Sequence, residues 1–257
     1  MMPPGRARGL AFALAGLIAS SAEAKGPPRR TARVGAHPGR VTFLSDWETR
    51  PSARYGAMTA DACLAELGRR AIEFTRVEKA PGVLAPVRIP KGAGGVIYRT
   101  DAAPAARPTN PFDVFDCRLV LALSDFSKIL QAHDIDEVLV FSAWRPPSKS
   151  WPDGKLGTRH PGGLAIDAYR FGKKLGDGGA KKTWLTVQTD FGRKLGARVC
   201  GPGAPPAARE ARELRSILCE AADARIFTAM LTPNYDRAHF NHFHLEVTPG
   251  VEWVLLP

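Results

Sequence analysis

Apolar residues recur three and four positions apart in "CRLVLALSDFSKILQAHD", Cys117 to Asp134, the spacing of one helix face. "MTADACLAELGRRAIEF" carries the same period behind a candidate cap at Thr59 or Asp61, and "AAREARELRSILCEAADARIF" carries it behind the loop "GPGAPP". Other stretches alternate or are β-branched. "EVLVFSAW" (137–144) predicts a strand broken by Arg145-Pro146-Pro147, and "GGLAIDAYRF" (162–171) predicts a second. "LGDGG" predicts a turn from which "TWLTV" (183–187) returns antiparallel, and "HFHLEV" predicts the last strand. Helices first and a short sheet later predict an α+β domain over 46–257, a small antiparallel sheet flanked by helices.

The N-terminus follows a different pattern. Arg6 and Arg8 precede an apolar run from Leu10 to Ala19, and "SSAEA" supplies small residues around an Ala22-Glu23-Ala24 cleavage signature. Residues 1–24 therefore read as a secretory signal peptide, too short for a span, followed by a Pro-, Gly- and Arg-rich basic leader over 25–45. No later segment is apolar enough to predict a membrane span, so the expected location is periplasmic or secreted. Cleavage removes two arginines and one glutamate, taking the formal charge from +11 to +10. Outside the cytoplasm such a chain meets an anionic cell envelope, and no zinc-finger spacing, RNP pattern or basic helix points to nucleic acid. Cys63, Cys117, Cys200 and Cys219 form an even set in an oxidising compartment and contain no Cys-x-x-Cys. Two disulfides are expected, and Cys63–Cys117 with Cys200–Cys219 is the favoured of three pairings, the second pair being close in sequence across a Gly/Pro loop.

Histidine is scarce and unevenly placed: three of six lie in "AHFNHFHLEV". On a strand, His242 and His244 share a face. His37 lies in the leader and His133 at a helix end, where capping is the ordinary role. Upstream, "RHPGGLAIDAYRF" supplies His160 and Asp167. Asp167 alternates with apolar residues on its strand, where an unpaired carboxylate is costly. Pro161-Gly162-Gly163 allows the chain to turn so that His160 swings over that strand. Taken singly, either pattern is more often structural than metal-binding. Together they supply one histidine, one aspartate and a further histidine, which with water is a catalytic zinc ligand set. Zinc in such a set acidifies water and polarises a carbonyl, as amide hydrolysis requires.

"HPGGLAID" followed by "HFH" resembles the paired signature of the LAS zinc peptidases, the group of D-Ala-D-Ala peptidases, murein endopeptidases and the hedgehog signalling domain. "SAWRPP" resembles the Ser-x-x-Arg segment preceding the first zinc ligand in the D-Ala-D-Ala carboxypeptidases. A wider similarity, from "ACLAEL" through "FDCRLVLAL" to "IFTAMLTPNYDRAHFNHFHLEV", is to the extensin-like C-terminal domain family of bacteria. The resemblance implies a LAS/hedgehog-like fold with one zinc ion on His160, Asp167 and His244. It implies proton handling by His242, assistance from His239, and Arg145 holding a substrate carboxylate or an oxyanion. Where those carboxypeptidases often place a glutamate general base, three residues before the last ligand, this chain has Asn241, which cannot take a proton.

Two function classes follow. The first is an exported zinc peptidase acting on peptidoglycan cross-links or stem peptides. The second is a non-catalytic zinc-containing module that binds the cell envelope. An extracellular structural role would call for Ser-Pro-rich repeats, and the sequence has none.

Overall fold

The computed structural model describes residues 40–43, 46–151, 156–174, 182–202 and 204–256. The expected signal peptide, most of the leader and the "LGDGG" turn lie outside the described residues. Strand β1 (Arg40–Phe43), inside the stretch read as leader, is followed by helices α1 (Pro51–Gly56) and α2 (Ala60–Arg69). The α2 cap is Thr59, whose hydroxyl accepts the Ala62 amide at 3.3 Å. Periodicity would carry α2 to Phe74, but it stops at Arg69. Ala71 adopts a left-handed φ of 53° and the Ile72 amide turns back onto the Leu67 carbonyl at 3.0 Å, a Schellman-type ending.

Short strands β2 (Thr75–Arg76), β3 (Pro86–Arg88), β4 (Ile97–Arg99) and β5 (Phe115–Asp116) lead into α3 (Cys117–Ala132). Asp116 caps α3 by accepting the Arg118 amide at 3.0 Å. The same buried carboxylate pairs with the Arg118 guanidinium and accepts the Leu84 amide, tying the preceding loop to the helix start. His133 is the α3 C-cap, with Nε2 2.9 Å from Glu220, as expected of a terminal histidine. Then come β6 (Ile135–Val140), β7 (Ala165–Lys173), β8 (Trp184–Thr186), α4 (Val187–Asp190), α5 (Arg209–Asp223), β9 (Ala229–Leu231), β10 (Phe243–Glu246) and β11 (Trp253–Leu256).

The α+β class stands, with a correction to the sheet. A small antiparallel sheet, β2-β3-β5, exists but carries none of the expected site residues. Those on strands lie in a mixed sheet of eight strands ordered β1-β11-β9-β10-β7-β6-β4, with β8 also on β7. Its parallel pairs are β4 with β6 and β9 with β11. "HFHLEV" is not the last strand, because β11 follows and pairs with β1 and β9. β4, β9 and β11 are three or four residues long, too short to show a period.

The core explains why the site has a face to itself. Ile166, Ala168 and Phe171 of β7, with Phe243 and Leu245 of β10, join one buried cluster with Leu119 and Phe126 of α3 and Leu214 and Ile217 of α5. Strand alternation turns Asp167, His244 and Glu246 to the opposite face. Both disulfides take the favoured pairing: Cys63–Cys117 joins α2 to α3, and Cys200–Cys219 ties the Gly/Pro loop to α5.

Candidate metal centre and its cleft

Pairing register places the first two side chains. β7 and β10 run antiparallel with Asp167 directly opposite His244, so the two project from the same face at neighbouring positions. His160 arrives from the loop before β7. Gly163 has a φ of 63°, and a Cβ there would lie 2.8 Å from the Asp116 amide nitrogen. Glycine at this position therefore permits both the turn and the close packing. The Leu164 amide donates to the Arg159 carbonyl at 2.8 Å, closing the loop, and His160 is brought over β7 as the sequence implied.

His160, Asp167 and His244 are all buried, and one potential donor atom from each lies within 4.8 Å of the others. Oδ1 of Asp167 is 3.0 Å from His160 Nε2, 3.1 Å from His244 Nδ1 and 3.4 Å from His242 Nε2. Its other oxygen, Oδ2, accepts from Arg145.

The far ring nitrogens determine what the cluster wants. His160 Nδ1 lies 2.7 Å from the Ala143 carbonyl, which only accepts, so Nδ1 carries a hydrogen. His244 Nε2 lies 2.9 Å from the buried Glu246 carboxylate and likewise donates. In the neutral rings the lone pairs are then on Nε2 of His160 and Nδ1 of His244, and both meet a carboxylate oxygen. Three acceptors in contact need protons or a cation between them. This group could hold a metal ion, and each histidine has the outward acceptor that metal-bound histidines commonly have.

The electrostatics differ from residue to residue. Burial pushes the Asp167 carboxyl up, but the facing nitrogens of His160, His242 and His244, which donate to it when those rings carry a second proton, outweigh burial and hold the group well below the usual carboxylate range. Burial pulls His244 down, yet Asp167 and Glu246 overcome it and push the imidazole up to about 9. For His160 burial prevails and its pKa falls. Positive charge is thus favoured on His244, between the Asp167 and Glu246 carboxylates, and not on His160.

The remaining expected residues gather here too. A cleft of about 590 Å³ reaches the cluster, lined among others by Arg145, Trp151, Arg159, His239 and His242. His242 Nδ1 donates to the Asn241 side-chain carbonyl at 2.9 Å, leaving Nε2 toward Asp167. Asn241 thus orients the neighbouring histidine. His239 Nδ1 is 2.7 Å from Asp236, and its ring centroid is 5.2 Å from that of His242. Burial lowers the pKa of His239 despite Asp236. Arg145 donates Nε to Ser142 Oγ at 2.8 Å and Nη2 to Asp167, while Nη1 has no partner among the described residues.

Sequence reasoning missed Glu246, Asp236 and Arg159. The first two had a signal: Glu246 is two residues after His244 on the same strand face, and Asp236 is three before His239. Arg159, whose Nε is 3.7 Å from Glu246, had none beyond adjacency to His160. Compared with protein-family models, curated proteins and solved structures, the chain matches none.

Proposed function

We propose that the protein is an exported zinc peptidase of the D-Ala-D-Ala carboxypeptidase or murein endopeptidase type, hydrolysing peptide bonds of peptidoglycan. The observation that carries this reading is a three-residue N, N, O donor set reached by an open cleft with two further histidines on its wall. Two histidines and a carboxylate suit zinc, and three protein ligands rather than four are the mark of a catalytic site. Zinc held there supplies Lewis acidity and acidified water for attack on an amide carbonyl.

The chain's own residues divide the remaining work. His160, Asp167 and His244 hold the ion. Arg145 anchors Asp167 through Oδ2, so that Oδ1 stays turned to the histidines, and its Nη1 is left for a substrate carboxylate or an oxyanion. His242 accepts a proton on Nε2 and returns it to the leaving amine, the work a glutamate does where one is present. His239, held by Asp236, assists at the cleft wall. The basic chain, +11 over all its residues, suits the anionic envelope in which the substrate lies.

The test separates metal binding from chemistry. Full-length mature protein should bind about one zinc per chain, and alanine at His160, Asp167 or His244 should abolish binding. His242→Ala should keep zinc and lose muropeptide release from sacculi by ~100-fold or more, the scale of a general acid–base contribution. If the zinc-loaded protein pulls down cell wall but releases nothing from sacculi or cross-linked peptides, it is instead a non-catalytic envelope-binding module.

A further inference from the structure

A second cleft, of about 690 Å³, is lined by residues of both sheets and shares none with the histidine cleft. Arg88 of β3, Arg99 of β4 and Arg107 from the following loop line it, together with the carboxylates of Asp113 and Glu137. Three guanidiniums against two carboxylates leave one positive charge uncompensated.

Both acids are already engaged. Asp113 accepts the Thr100 amide at 2.7 Å, the Thr100 hydroxyl at 2.8 Å and the Asn110 amide nitrogen at 3.0 Å. Glu137 pairs with Arg99 and with Lys182, the latter at 2.9 Å. Among the described residues Arg88 spends only Nη1, on the carbonyls of Asn110 at 2.7 Å and Arg107 at 3.4 Å. Arg107 likewise spends only Nε there, on the Ala102 carbonyl at 2.9 Å. Neither forms an ion pair with a carboxylate among the described residues. Arg88 is half-buried on its strand, and burial lowers its pKa, Asp113 opposing. A partly desolvated cation with no carboxylate in contact is costly, and an anion in the cleft relieves that cost.

The rest of the lining limits what that anion is attached to. Ile89, Ile97 and Phe115 give the cleft an apolar side, so a bare inorganic ion would leave apolar surface wet beside it. We propose that this cleft binds a small organic monoanion, an oxyanion headgroup on an apolar body, gripped by the free donors of Arg88 and Arg107. The planar fork of arginine matches carboxylate and phosphate alike. The site stands independently of the peptidase reading, since it uses none of the same residues.

The test is calorimetric titration of the full-length mature protein with benzoate, its neutral counterpart benzamide, and inorganic phosphate. Benzoate should bind and benzamide should not, and inorganic phosphate, which lacks the apolar body, should bind more weakly than benzoate. Arg107→Gln, which gives up one loop contact, should weaken binding about tenfold, the effect of losing a charge-assisted hydrogen bond. Arg88→Lys keeps the charge without the fork and should weaken it as well. His160→Ala, which disables the other cleft, should leave binding intact. Equal binding of benzoate and benzamide, no binding of benzoate, phosphate binding tighter than benzoate, wild-type affinity in Arg107→Gln, or loss of binding in His160→Ala would overturn the proposal.

Discussion

Asp167 is the residue on which the site turns, because its two oxygens do different things: Oδ1 faces three histidines and Oδ2 is held by arginine. The less obvious partner is Glu246. It receives the Nε2 hydrogen of His244 and is itself held by the Thr248 hydroxyl at 2.6 Å, so it orients the ring and raises the basicity of Nδ1. Glu246→Gln should lower zinc affinity by ~10- to 100-fold in chelator competition. Unchanged affinity would show that His244 is positioned by its strand alone. Away from the site, Tyr55 is buried and bonded to both Asp125 and Arg70. Burial first, and then Asp125, push its hydroxyl from 10.0 up to about 12. A folded value above the unfolded one favours the protonated form, so the contribution is complete below pH 10 and is lost as pH rises towards 12. Denaturant titrations across that window should show a steeper loss of stability in wild type than in Tyr55→Phe.

Among the elements, β7 does the most to build the site, and it does so irregularly. Arg170 pairs with Leu139 and Ala168 with Val140, so Tyr169 is an extra residue at a bulge. The bulge restores Phe171 to the core and leaves Tyr169 stacked on Phe141, ring centroids 4.2 Å apart. Phe141 in turn meets the His242 ring edge-on at 5.8 Å, a second contact on that histidine beside its bond to Asn241. The loop ahead of β7 depends on Gly163. Gly163→Ala should cost about 1–3 kcal/mol for the left-handed backbone alone, with the contact at Asp116 adding to it. Thermal unfolding would measure the loss, and zinc affinity should fall with it because His160 rides on that loop. Stability equal to wild type would mean that the loop relaxes without strain.

At the scale of the molecule, cross-links tie the helices together. Cys63–Cys117 closes a separation of 54 residues and Cys200–Cys219 one of 19. Loop-closure entropy assigns each about 3–4 kcal/mol. Reduction should therefore lower the melting temperature markedly, and Cys200→Ser with Cys219→Ser should cost somewhat less than the Cys63 and Cys117 pair. A melting temperature indifferent to reductant would mean that the bridges do not contribute. Among the described residues no helix is long and apolar enough to cross a membrane.

Much of this was legible before any coordinates. Helical period located α2, α3 and α5, since a buried helix face needs apolar residues every three or four positions. Alternation located β7 and β10 and put Asp167 and His244 off the core, because side-chain direction on a strand is a local property. Local sequence likewise singled out the Gly-Gly turn that returns His160. What tertiary structure alone decided is pairing. Which strands lie side by side, and in what register, depends on contacts distant in sequence, so the size and mixed character of the large sheet left no local trace. The joint set of His160, Asp167 and His244 was read from its motifs, but the same reason hid the grip of Arg145 on Oδ2 of Asp167, the backing of His244 by Glu246, and the arginine cleft between two sheets. Each is made of residues whose chemistry is ordinary until the fold brings them within a few ångströms.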